Sequence, residues 1–166
     1  LKEYNGIKLQ YELCQQIQMQ NNIAEVIDYG WYNYNTTIYE KAIHYDSGYP
    51  YCIMTRYRNL NDYVKTILSL EEKKILCISL LNSIINLYKL NYIHTDLKID
   101  NCLVDNAYNI LLTDFSHVIM INKGINNISE NYYNNYVKTC IEIMVIIFVP
   151  SYYKDKNLVI KGSNND

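Results

Sequence analysis

Several things are scarce in this chain, and each scarcity excludes a class of function. Five cysteines, Cys14, Cys52, Cys77, Cys102 and Cys140, are scattered without a CxxC pair. An odd, dispersed set fits neither a disulfide framework nor a zinc site, so they read as reduced, mostly buried thiols. Net charge is only -2, from 15 basic and 17 acidic residues, with no basic arm or acidic tail. No electrostatic footprint for nucleic acid follows. The most apolar run, "IEIMVIIFV" at 141–149, is too short to span a bilayer, and "LKEYNG" at the start has no signal-peptide layout. A cytoplasmic setting without membrane contact is therefore expected. With Leu1 in place of an initiator Met, a fragment of a longer chain is expected.

Arginine is nearly missing, at 56 and 58 alone, while Tyr reaches 19 residues and Asn, Ile and Lys crowd every segment. AT-rich coding produces such usage, so no single Tyr or Asn carries weight. No internal repeat is visible, and the polar end "GSNND" is expected to fray.

At 166 residues the chain suffices for one ordinary domain or two small lobes sharing a cleft. "KLQYELCQQIQM" at 8–19 places Ile7, Leu9, Leu13 and Ile17 on one stripe of a short helix, with Glu12 on another face. Residues 23–57 turn to β-branched and aromatic types, broken by turn signals at Asp28-Tyr29-Gly30 and around Asp46–Pro50; two or three antiparallel strands are expected. "NLNDYVKTIL" predicts a short helix. "SLEEKKILCISLLNSIINLYKL" predicts a long one, capped by Ser69 with Glu72 three residues on and striped by Ile75, Ile78, Leu81, Ile85 and Tyr88. "CLVD" and "NILLTD" flank a turn as a hairpin, and a last helix, "NNYVKTCIEIMVIIF", ends before Pro150. The whole reads as an α+β piece followed by a helical piece.

The stretch at 91–121, "NYIHTDLKIDNCLVDNAYNILLTDFSHVIMI", asks for chemistry beyond core packing. Asp96 and Asn101 lie across a short loop and Asp114 follows a strand, so two carboxylates and an amide can converge as hard oxygen ligands suited to Mg²⁺. Lys98 adds a point charge beside them. Such a set, without thiol or paired-His ligands, points to phosphoryl transfer over zinc hydrolysis. Loop capping by Asp96 and Asn101 is the plainer alternative, and Asp105 with Asn106 is turn chemistry.

On these residues the chain resembles the eukaryotic-type protein kinases. "HTDLKIDN" is similar to the catalytic loop H-R-D-L-K-x-x-N and "TDFS" to the D-F-G motif, with strand, turn and strand between them. "YELCQQIQMQNNIAEVIDYG" resembles the regulatory helix and the strand after it, and "YCIMTRYRNLNDYV" the strand and hinge that hold adenine. The resemblance implies a bilobal fold, with a reduced N-terminal sheet lobe and hinge over about 1–57, a shortened helical lobe over about 58–150 and a tail over 151–166. It implies Asp96 and Lys98 as catalytic residues: Asp96 accepts or orients the substrate hydroxyl, and Lys98 is a charge on the transferring phosphate. Asn101 and Asp114 become Mg²⁺ ligands, with His94 and Phe115 as internal packing pieces. Toward ATP it implies Met54 as gatekeeper, the backbone from Thr55 to Tyr57 at the adenine edge, and Lys2, ending a strand, gripping the phosphates while paired with Glu12. The substrate implied is a Ser or Thr hydroxyl of a protein.

The pattern also has gaps. No GxGxxG loop is present, Ser116 stands for the motif's glycine, Thr95 for its arginine, and few residues follow the last helix. Thr95 cannot hold a phosphorylated loop as a guanidinium would, so control through phosphorylation of Ser129 is not expected. Two rival functions share the layout: a pseudokinase kept as a binding module, which the gaps favour, and a small-molecule kinase of the aminoglycoside or choline type, which Lys98 after Leu97 disfavours.

Overall fold

The computed structural model describes residues 2–16, 22–33, 39–40, 48–121 and 130–151. Ser129 and the polar end, 162–166, lie outside them. Among the described residues the fold is mixed α and β, with four α-helices and small antiparallel sheets.

Helix α1 (Lys2–Cys14) comes first, then β1 (Val26–Asn33), β2 (Tyr39–Glu40) and β3 (Gly48–Met54), which form a three-stranded sheet in the order β2-β1-β3. Asp28-Tyr29-Gly30, expected as a turn, instead runs inside β1. The register with β3 shifts between Val26 and Asp28. A bulge there absorbs the irregularity that the turn-forming residues introduce. Pro50 lies in β3, an edge strand among the described residues, which is where a sheet tolerates a residue without an N–H.

Helix α1 also starts earlier than the leucine spacing suggests, and Ile17 lies outside the described residues. Its buried face is Tyr4, Gly6, Gln10, Leu13 and Cys14. Tyr4 stacks on Trp31 of β1 at 5.0 Å, and Tyr29 meets both Tyr4 and Tyr11. Aromatic contacts of this kind anchor a helix whose aliphatic stripe is short.

After β4 (Arg58–Asn59) and the single turn α2 (Leu60–Tyr63), capped by Asn59, the chain enters α3 (Leu70–Lys89). The expected capping box is present: the Glu72 N–H donates to Ser69 Oγ at 3.2 Å, and the Ser69 N–H donates to the Glu72 carboxylate at 2.7 Å. Accepting from the Ser69 N–H, and from the Ser69 hydroxyl at 2.8 Å, lowers the Glu72 pKa. Replacing Ser69 by Ala is expected to cost about 1 kcal/mol and to lower the melting temperature by roughly 2–4 °C in a thermal melt.

The stripe chosen on α3 is corrected. Ile78 and Tyr88 are each 59% exposed, and Ile75, Leu81 and Ile85 also face outward. Leu76, Leu80 and Leu87 are the fully buried residues, in line with Ser79 and Ser83. The helix is apolar on both sides, and the winning side is the one whose serines can serve a strand edge. Ser83 Oγ donates to the Ile110 carbonyl at 2.6 Å, and the Ile110 N–H donates to Ser79 Oγ at 2.7 Å. Those bonds satisfy backbone groups that burial would otherwise leave unpaired.

Strands β6 (Cys102–Val104) and β7 (Ile110–Leu112) form the expected hairpin, with β4 on its far side. Its turn is fastened by Asp105, whose carboxylate accepts from the Ala107 and Asn109 N–H groups. A parallel bridge from Ile23 to Leu112 stitches the segment before β1 onto β7. The last helix, α4 (Glu130–Phe148), packs on α3 with Ile143, Ile146 and Ile147 buried. Among the described residues no helix is long and apolar enough to cross a membrane.

Candidate active site

Strand β5 (Tyr92–His94) leads into the loop that carries Asp96 and Lys98, and a 3-10 turn at Ile99–Asn101 returns the chain to β6. Beyond β7, Thr113 and Asp114 enter a second 3-10 turn, Phe115–His117, and then β8 (Val118–Met120). Strands β5 and β8 pair antiparallel, with His94 opposite Val118. That pairing brings the Asp96 loop beside the Asp114 turn. The Thr95 N–H donates to the His117 carbonyl at 3.1 Å, and the Thr113 N–H donates to the Asn101 carbonyl at 3.1 Å.

Three of the expected residues form one hydrogen-bonded cluster. Lys98 Nζ donates to Asp96 Oδ2 at 2.7 Å. Asn101 Nδ2 donates to the Asp96 carbonyl at 2.9 Å and to Asp96 Oδ2 at 3.2 Å. The hydrogen bond from Lys98 holds the Asp96 carboxyl below its usual range, and the same bond raises the Lys98 pKa. Asp96 therefore stays ionised, with Oδ2 occupied by two donors. A carboxylate so held is a weak base, suited to orienting a hydroxyl more than to stripping its proton early. The amide nitrogen of Asn101 is engaged by both bonds, which fixes the side chain's orientation.

Asp114 sits in the left-handed region, φ 61° and ψ 66°. This conformation costs a non-glycine residue about 1 kcal/mol, least for Asp or Asn, and such strain clusters at functional sites. Ser116 Oγ donates to Asp114 Oδ1 at 2.5 Å and lies 3.1 Å from His117 Nδ1. The glycine replacement noted in the sequence is thus a hydroxyl that holds the carboxylate. Thr95, standing where the motif has arginine, spends its hydroxyl on the His117 carbonyl. Beneath both turns, His94 is fully buried, edge-on to Phe115 at 5.6 Å, and its Nε2 donates to the Thr113 carbonyl at 2.9 Å. These are the packing roles expected of the pair.

Burial lowers the His94 pKa, and Nδ1, where a second proton would sit, has no hydrogen-bond partner. The folded protein therefore binds this proton less readily than the unfolded chain, whose imidazole titrates near 6.5. Folded and unfolded forms are equally neutral above pH 6.5, so stability should fall as pH drops from there toward the lowered folded value. Melting curves from pH 8 to 5 should show a fall that His94→Phe flattens; parallel curves for the two proteins would contradict it.

The ATP-directed residues are less well met. Lys2 opens α1 and is exposed, so it ends no strand; Glu12 lies on the same helix, about 15 Å away at the rise of 1.5 Å per residue. Glu12 pairs instead with Lys8, at 3.8 Å on the surface. The Lys2–Glu12 pairing is thus excluded, because two ends of one helix cannot meet. Met54 ends β3, half-buried, and Tyr57 is half-buried in the segment after it. The Thr55 N–H is already bonded to the Glu25 carbonyl at 3.2 Å, which removes it as a donor to an adenine edge. A cavity of about 240 Å³ lies against this segment, lined by Thr55, Tyr57, Arg58, Val104 and Asn106 among others. It does not reach the Asp96 cluster.

Two residues of α1 escaped the sequence reading. Gln10 is buried and donates to the Ala24 carbonyl at 2.8 Å, and Gly6 packs on the backbone of Phe115 and Ser116. A glycine inside a helix was the available signal for the second; nothing marked the first. Among the described residues no three His, Cys, Asp or Glu side chains gather to hold a metal. What Asn101 and Asp114 provide is a sparse set of hard oxygens, which suits Mg²⁺ when substrate phosphates and water complete its shell.

No protein-family model matches the chain.

Proposed function

We propose that the chain is a divergent protein-kinase-like phosphotransferase of bilobal design, with the β2-β1-β3 sheet and α1 forming a reduced first lobe and α2 to α4 the helical one. It would bind Mg·ATP and transfer the γ-phosphoryl group to a Ser or Thr hydroxyl of a protein. The observation that carries this is the Asp96–Lys98–Asn101 cluster, hydrogen-bonded within itself and held beside a left-handed Asp114 by the β5–β8 pairing.

Mg²⁺, when bound, would neutralise charge on the phosphates. Asn101 Oδ1 and the Asp114 carboxylate are the groups to hold it. Asp96 would orient the acceptor hydroxyl through its second carboxylate oxygen, Oδ1. Lys98, a partner of Asp96 that also feels Asp114, places a positive charge where a transferring phosphoryl group would pass. Positioning and charge supply most of the rate in such chemistry, so few groups suffice. The five free thiols favour a cytoplasmic setting.

A second reading, a pseudokinase kept as a binding module with weak or no turnover, is favoured by the absent Lys2–Glu12 pair and by the engaged Thr55 N–H, both of which weaken a hold on ATP. Calorimetric titration with ATP, in Mg²⁺ and in chelator, tests the first reading. Binding that strengthens at least tenfold with Mg²⁺ is expected; no binding in either buffer rejects the phosphotransferase and leaves the binding module.

A further inference from the structure

Gly6 is in the interior of α1, where glycine costs about 1 kcal/mol relative to alanine. The reason for its presence lies across the contact. A Cβ at this position would stand 2.4 Å from the Ser116 N, 2.5 Å from the Ser116 Cα and 2.7 Å from the Phe115 carbonyl carbon. All three atoms are backbone, so no side chain can swing aside; the helix or the turn would have to move by about 1 Å to restore ordinary contact. One turn further along, Gln10 reaches Thr113 Oγ1 at 3.5 Å while bonded to the Ala24 carbonyl. Helix α1 therefore touches the chain on both sides of Asp114, at Thr113 and at Phe115–Ser116. On its other side the helix is fastened to β1 through Tyr4, stacked on Trp31.

We infer that Gly6 is a positioning residue for Asp114: its missing side chain sets how deeply α1 seats on the 115–117 turn, and so links the three-stranded sheet to a metal ligand. The inference rests on the assignment of Asp114 to Mg²⁺. Asp114 holds a left-handed backbone against its intrinsic preference, which requires its neighbours to be constrained from outside. The Gly6 contact supplies that constraint without any charged group, in a helix where Lys2 and Glu12 do not meet.

Wild type, Gly6→Ala, Gln10→Met and Ser69→Ala should be titrated with ATP in Mg²⁺ and in EDTA, with amide exchange followed over 115–120. Gly6→Ala is expected to lose at least tenfold of the Mg²⁺-dependent gain in ATP affinity, to keep its affinity in EDTA within about twofold, and to exchange faster at 115–118. Ser69→Ala, destabilised at a distant cap, should keep the full gain; a parallel loss there would reduce Gly6 to a stability effect and overturn the inference. A full gain in Gly6→Ala would also overturn it. If Gly6→Ala does not fold, Gln10→Met carries the test, with a several-fold loss expected and an unchanged gain contradicting it. Absence of any Mg²⁺-dependent gain in wild type is a separate result: it removes the metal assignment of Asp114 itself, and the inference with it, before a variant is compared.

Discussion

Asp96→Asn is expected to lower phosphoryl transfer by roughly 10²–10⁴-fold, the range typical of a positioned acid or base, while Mg·ATP affinity stays within about twofold. The separation follows from the cluster. Asp96 is held by Lys98 and Asn101 through one carboxylate oxygen, and in the proposed function its other oxygen would address the acceptor hydroxyl, not the nucleotide. Asparagine preserves the shape and can still accept through its carbonyl oxygen, so the loop should keep its course. What disappears is the negative charge that orients the hydroxyl. Transfer to a generic protein substrate that survives the substitution would remove Asp96 from the chemistry and leave it as a loop cap.

Asp114→Asn should act on the other half of the site. A domain that binds Mg·ATP gains RT ln(1 + [L]/Kd) in stability, about 2.7 kcal/mol at a hundredfold excess over Kd. At this chain length that corresponds to roughly 5–10 °C in a melt. The variant is expected to lose the part of the shift that depends on Mg²⁺ and to retain what ATP gives in chelator. Asparagine tolerates the left-handed backbone about as well as aspartate, so the turn at 114 is not strained by the change. A shift equal to wild type in Mg²⁺ would contradict the assignment of Asp114, and with it that of Asn101.

The site was legible in the sequence where its geometry is local. His94 to Asn101 and Thr113 to Ser116 are two short segments, and a hairpin with a well-marked turn fixes their separation, so quoting them in order nearly builds the cluster. The Ser69 cap was legible for the same reason: its partner, Glu72, is three residues away. What was not legible depends on long-range choices between similar options. Helix α3 offers two apolar stripes, and the buried one is selected by Ser79 and Ser83 bonding to Ile110, roughly thirty residues away, which no count of apolar residues registers. Helix α1 is set by Tyr4 on Trp31 and by Gly6 on Ser116; tyrosine is discounted in the sequence for its frequency, and Gly6 drew no reading there. The Lys2–Glu12 pair failed because it assumed a strand before the helix, and the helix in fact begins at Lys2.

The most direct measurement is transfer from γ-labelled ATP to protein hydroxyls by the wild-type chain, in Mg²⁺ and in chelator, with Asp96→Asn alongside. Label should appear as Ser or Thr phosphoester in Mg²⁺, vanish in chelator and fall at least a hundredfold in the variant. Label that is indifferent to Mg²⁺ or to Asp96, or Mg·ATP binding with no phosphoester formed, would contradict a phosphotransferase built on this cluster.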